Sequence, residues 1–200
     1  MAALIFPMTM MGQYTIYPVP HTQTAGTGTV SFTNIVNVVC DNGIDEATRN
    51  RVKDIFAAHN VTVTFSDAAS STKSNVYLGV NGANGQGNAM ATQLGLSTDV
   101  LTKEGKFDRH ILSLTDGGNG TAQLLVLGEN TDATFFGLAS LEQMLDNGTE
   151  GLATVTINDY ADLKERGVIE GFYGKPYAGE VRQDLLRFMM RYKMNCYVYG

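Results

Sequence analysis

Apolar residues follow two spacings along this chain. Short runs, crowded or alternating with polar residues, predict strands at 30–40 (one or two strands), 61–65, 75–80, 109–115, 121–127 and 153–157. Longer runs spaced by three and four predict helices. Over 44–59, Ile44, Thr48, Val52, Ile55 and Phe56 share one face. Over 133–145, Phe135, Leu138, Leu141, Met144 and Leu145 do the same, and 88–94 predicts a shorter helix. Punctuation falls between the runs. Asp41-Asn42-Gly43 is a turn, residues 129–132 supply an N-cap, and Asn147-Gly148 ends the helix before it. Residues 116–120 (DGGNG) have the chemistry of a hairpin turn. Ahead of these, 14–20 reads as extended because Pro18 and Pro20 disfavour helix, and 24–29 (TAGTGT) reads as a loop.

The alternation predicts an α/β domain around one mixed sheet, placed at residues 14–158. The apolar first dozen residues lack a basic start and read as a leader or signal remnant, residues 1–13. They point to a secreted or cell-surface protein of bacterial type. Residues 158–166 read as a polar linker. Beyond it, 167–172 is a short apolar strand and 178–193 a helix with Val181, Leu185, Phe188, Met189 and Tyr192 on one face. Residues 195–199 form a second strand. Strand, helix and strand of this length make one βαβ unit with parallel strands. Such a pair leaves a sheet face and both edges uncovered, so 159–200 is expected to open a larger β/α domain.

Composition narrows the chemistry. Fourteen Lys and Arg against twenty Asp and Glu give a formal charge of −6, which argues against a nucleic-acid partner. No run is long and apolar enough to span a membrane. Cys40 and Cys196 form no motif, and His21, His59 and His110 have no metal-ligand spacing and read as surface or strand-end residues. Residues 82–87 (GANGQG) invert the order of a dinucleotide fingerprint and read as a flexible loop. Asp116, Asp132 and Asp159 read as turn, cap and linker carboxylates. Glu170 stands inside an apolar strand, where burial demands a partner; Arg166, Lys175 or a later residue would serve. The strongest cluster is 169–177 (IEGFYGKPY). Gly171 lets its backbone approach a ligand closely, and Phe172 and Tyr173 supply flat apolar faces.

Residues 166–200, with the core GVIEGFYGKP, then Arg182, then Met194-Asn195-x-Tyr197-x-Tyr199, closely resemble the opening of the catalytic barrel in glycoside hydrolase family 84. That family comprises β-N-acetylglucosaminidases, O-GlcNAcases and bacterial enzymes historically called hyaluronidases. The preceding residues resemble its N-terminal α/β domain, which is like the non-catalytic domain of family 20 hexosaminidases. The resemblance implies a truncated (β/α)8 barrel whose first βαβ unit is present here. It also implies substrate-assisted, retaining removal of terminal β-linked N-acetylglucosamine from a glycan or glycoprotein, with no cofactor. Gly171 would meet the sugar through its main chain, and Tyr173 would line the same pocket. The family's paired catalytic aspartates have no counterpart among the 200 residues, so the chain alone is expected to be inactive, with the remainder of the barrel as its partner. A second expectation is a non-catalytic carbohydrate-binding or scaffold module.

Overall fold

The structure, a computed structural model, describes residues 14–171 and 174–199, so the expected leader at 1–13 lies outside the described residues. Strands β1 (Thr22–Val30), β2 (Ile35–Cys40), β3 (Thr62–Phe65), β4 (Ser74–Val80), β5 (Phe107–Asp116), β6 (Ala122–Gly128) and β7 (Leu152–Ala161) form one sheet. Their order is β1-β7-β5-β6-β4-β2-β3. β3, β2, β4 and β6 run parallel, while the β5–β6 hairpin turns the remaining strands antiparallel. The sheet is therefore mixed, as the hairpin turn predicts.

Period-two alternation builds a core on each face. In β6, Leu124 and Val126 face one cluster while Leu125 and Leu127 face the other. Helices α1 (Glu46–Ala57) and α3 (Thr131–Met144) cover the first face, through Val52, Ile55, Phe56, Leu138 and Leu141. α2 (Gln86–Gln93) covers the second with Met90 and Ala91. Asp45 and Asn130 cap α1 and α3, each side chain accepting a main-chain N–H three residues on.

Four local expectations change. Residues 24–29 belong to the edge strand β1, not to a loop. An edge strand is held by main-chain pairing to β7 while most of its side chains meet water, so Thr and Gly give no apolar signal. β7 continues to Ala161 because β5 extends beside it, so 158–161 is strand rather than linker. Within 82–87, Gln86 and Gly87 already belong to α2, and Asp41 accepts the Gly87 N–H. A Cβ on Gly87 would meet the Gly79 Cα at 2.7 Å; only glycine lets α2 lie so close to β4. In α3, Phe135 is half-buried, with the Arg51 guanidinium 4.3 Å from its ring centre, and Phe136 takes the inward place.

Strands β8 (Gly167–Glu170) and β9 (Cys196–Tyr199) pair in parallel and form a sheet of their own, joined by α4 (Gly179–Arg191). Of the α4 face expected inward, only Met189 is buried; Val181 and Phe188 are each 49% exposed. The spacing is amphipathic, but only its Met189 end is covered, where α4 meets α3, and Val181 and Phe188 stay open.

Candidate functional site

The two strands of the small sheet end together, with Glu170 opposite Tyr199. Gly171 follows β8 directly and is exposed at this end. Tyr173 and Phe172 lie outside the described residues. Tyr177 is half exposed.

Glu170, the last residue of β8, is buried. Its partner is Arg182 of α4, neither Arg166 nor Lys175. Arg182 Nε and Nη2 donate to the two carboxylate oxygens at 2.8 and 2.9 Å, a bidentate pair. The Tyr177 main-chain N–H donates to Oε1 at 2.9 Å, and the Tyr197 hydroxyl donates to Oε2. The Arg182 hydrogen bonds, helped by those of Tyr197 and Tyr177, hold this carboxyl down to about 2 against the opposing effect of desolvation. It is an anion throughout the physiological range. The Arg182 guanidinium, raised in turn by Glu170, also lies 4.7 Å from the Tyr199 ring centre.

A second polar group lies where the small sheet meets the large one. Lys193, just past α4, is in the left-handed region (φ 57) and buried; its Nζ donates to Asp159 Oδ2 at 2.6 Å. Burial pulls the Lys193 ammonium below its ordinary value. Burial alone would raise Asp159, but Lys193 and His110 hold it low. His110, opposite Asp159 on the neighbouring strand, is buried rather than at the surface. Its Nδ1–H donates to the Asp108 carbonyl at 2.7 Å, leaving Nε2 as a bare acceptor 3.8 Å from Asp159. Burial, with Lys193 next, pulls its pKa down to about 4, so at neutral pH the ring is uncharged. Arg166 reaches across to the Asp108 carboxylate. These residues line a cavity of about 280 Å³ together with Phe136 and Leu163.

Donors from the large sheet's layer also meet the end of α4. Arg51 Nη2 donates to the Met190 carbonyl at 2.9 Å, and Gln143 Nε2 to the Arg191 carbonyl at 3.1 Å. Carbonyls left open in the last turn of a helix are satisfied this way.

Asp159 is thus no linker carboxylate, and Lys193 is more than the basic end of a helix. A signal existed for both His110 and Asp159. His110, Leu112 and Leu114 share one strand face, as do Val155, Ile157 and Asp159, so continuing the alternation turns both polar residues inward.

The family model described as glycosyl hydrolase family 20, domain 2, matches residues 13–160. The chain belongs to that family. Beyond the family 20 domain, the model described as beta-N-acetylglucosaminidase matches residues 166–200. Among solved structures, CpGH84D is 32% identical with a TM-score of 0.84, and CpGH84B 25% identical at 0.73. Each covers 94% of this chain, and the chain spans 30% of each of them. The likeness to family 84 therefore runs through the family 20 domain and on into β8–α4–β9. A family 20 exo-β-N-acetylglucosaminidase from Vibrio harveyi, in complex with N-acetylglucosamine, shares the fold at 14% identity and a TM-score of 0.67; it covers 92% of this chain, which spans 25% of it.

Proposed function

We propose that this chain supplies the supporting α/β layer and the first β/α unit of a (β/α)8-barrel β-N-acetylglucosaminidase, with the boundary between them past the end of β7 at Ala161. The observation that carries the reading is the 32% identity to CpGH84D across 94% of the chain, together with the match of residues 166–200 to a β-N-acetylglucosaminidase model. Three structural facts agree with it. β8 and β9 are parallel neighbours joined by a helix, as in a barrel. Ile169, Val198 and the Phe188 stripe are exposed apolar surface of the kind further β/α units cover. Gly171 lies at the C-terminal end of a parallel strand, where barrels place their active sites.

In this reading Gly171 and Tyr173 border the sugar. The substrate's acetamido oxygen attacks the anomeric carbon and the glycosidic bond breaks toward a leaving group protonated by an aspartate. Water then opens the resulting oxazoline with the configuration retained, an exception to the two-carboxylate scheme. Glu170 takes no part as acid or base, because its carboxylate is already saturated by Arg182, Tyr177 and Tyr197. The substrates are N-acetylglucosamine-bearing glycans or glycoproteins of the hyaluronidase-like class, met by a secreted or cell-surface enzyme. The 200 residues contain no adjacent aspartates, so the chain alone is inactive toward a chromogenic N-acetyl-β-glucosaminide. A protein in which these residues continue into a complete barrel releases the chromophore. Turnover by the chain alone, or none by the longer protein, overturns the proposal.

A further inference from the structure

Five Asn-Gly pairs punctuate the chain, beginning at Asn42, Asn81, Asn84, Asn119 and Asn147. Such pairs carry a chemistry of their own. The glycine amide nitrogen, once it sheds its proton, attacks the asparagine Cγ. A C–N bond forms, the Cγ–Nδ2 bond breaks and ammonia leaves. Water then opens the cyclic succinimide to aspartate, or to an isoaspartyl link that carries the main chain through the side chain. Glycine permits the close approach because it has no Cβ. What separates the five pairs is the state of the glycine N–H.

At three of them that N–H is already engaged. The Gly82 N–H donates to Asn88 Oδ1 at 3.1 Å, the Gly120 N–H to Asp116 Oδ1 at 3.0 Å, and the Gly148 N–H to the Leu145 carbonyl at 2.8 Å. At the fourth, the peptide between Asn42 and Gly43 lies inside a closed turn, in which the Ile44 N–H donates to the Asp41 carbonyl at 3.0 Å. Asn84-Gly85 differs. Among the described residues neither the Asn84 side chain nor the Gly85 N–H has a hydrogen-bond partner, and no main-chain bond closes over the peptide between them. Asn84 is exposed and in the left-handed region (φ 50). Gly85 is the N-cap of α2, whose positive end favours a nitrogen that is losing its proton.

We infer that Asn84 is the chain's site of succinimide chemistry, and that its isoaspartyl product unseats the start of α2. The surroundings of Gly85 leave no room: a Cβ there would meet Asp41 Oδ1 at 2.1 Å. An isoaspartyl link adds one carbon to the main chain directly before this contact. Gly85 must then move, and the bond from the Gly87 N–H to Asp41 opens. Aspartate, the other product, keeps the main-chain length and leaves α2 seated.

The folded 200-residue chain, held at pH 8.5 and then mapped by peptide mass spectrometry with isoaspartyl-specific methylation, tests both parts. Asn84 is expected to convert about five-fold faster or more than Asn81, Asn119 and Asn147, the factor that one N–H hydrogen bond supplies. In urea the five pairs should react at like rates. Asp116→Ala frees the Gly120 N–H at an exposed hairpin tip and should bring Asn119 up toward Asn84. In the isoaspartyl form the Gly87 amide should exchange about five-fold faster or more, while Asn84→Asp keeps its protection and the amides of β5 and β7 are unmoved in both. Equal rates for the five pairs in the folded chain, or Asn42 leading, overturn the site. An unchanged Asn119 rate in Asp116→Ala overturns the hydrogen-bond reasoning behind it, and unchanged Gly87 exchange in the isoaspartyl form overturns the unseating. None of these readouts depends on the hydrolase reading.

Discussion

Lys193→Met isolates the buried polar joint and reports on it through pH. At pH 7.5 the substitution leaves Asp159 buried, with the Tyr160 main-chain N–H at 2.9 Å, His21 Nδ1 at 3.1 Å and the neutral His110 Nε2 at 3.8 Å beside it. Removing one member of a buried ion pair costs about 3–5 kcal/mol. In the native chain His110 is neutral down to about 4, against an ordinary value of 6.5. Its folded value is depressed, so unfolding takes up a proton between those limits and native stability falls as pH falls through them. At 1.36 kcal/mol per pH unit the whole descent is about 3 kcal/mol. Lys193 is one of the charges that hold His110 down, and Asp159 pulls the other way. Without Lys193 the imidazole protonates at higher pH and supplies the missing cation. The penalty of Lys193→Met is therefore expected to shrink on acidification, by about 1.4 kcal/mol for each pH unit in which the variant ring is charged and the native ring neutral. Urea unfolding followed by far-ultraviolet circular dichroism at pH 7.5, 6 and 5 measures it. A penalty as large at pH 5 as at pH 7.5, or one below about 1 kcal/mol at pH 7.5, refutes the reasoning. The double variant with His110→Leu should show no such recovery.

Two further substitutions test the packing of the large sheet. Gly87→Ala sets a methyl 2.7 Å from the Gly79 Cα and 2.9 Å from Asp41 Oδ2, so α2 must lift from β4; a loss of about 1–3 kcal/mol is expected in the same urea assay, and a neutral result would show that the helix shifts freely. Asn130→Ala removes the acceptor that satisfies the Ala133 N–H at the start of α3; about 1 kcal/mol should be lost, with Asn130→Asp restoring it.

Much of the large sheet could be read from spacing alone, because its strands are buried on one or both faces and its helices carry a clear apolar face. Val36 and Val38, Leu124 and Val126, and Val52 with Phe56 all fall where alternation or the helical period places them. β1 could not be read, since its pairing is made by main chain, its Thr side chains face water and its glycines carry none. At the small sheet, Glu170 was legible as a buried acid in need of a partner, yet that partner lies twelve residues on, across a turn whose path no local spacing reveals. Lys193 was hidden for another reason. It follows the last helical turn in a left-handed conformation, which carries its ammonium off the helix and into the joint. The periodicity of α4 stops before it.

The way the end of α4 is held has a consequence for how such chains diverge. Arg51, Gln143 and Arg166 bond to the carbonyls of Met190, Arg191 and Lys193, groups that every amino acid presents alike. Apart from a few ion pairs, the joint reads backbone rather than side-chain identity. Substitutions along the helix can accumulate without unfastening it, and substitutions in the supporting layer are tolerated wherever a donor remains at the same height. A joint of this kind can keep its geometry while the two parts drift apart in sequence, so one supporting layer can stay attached to neighbouring units whose helices no longer resemble one another.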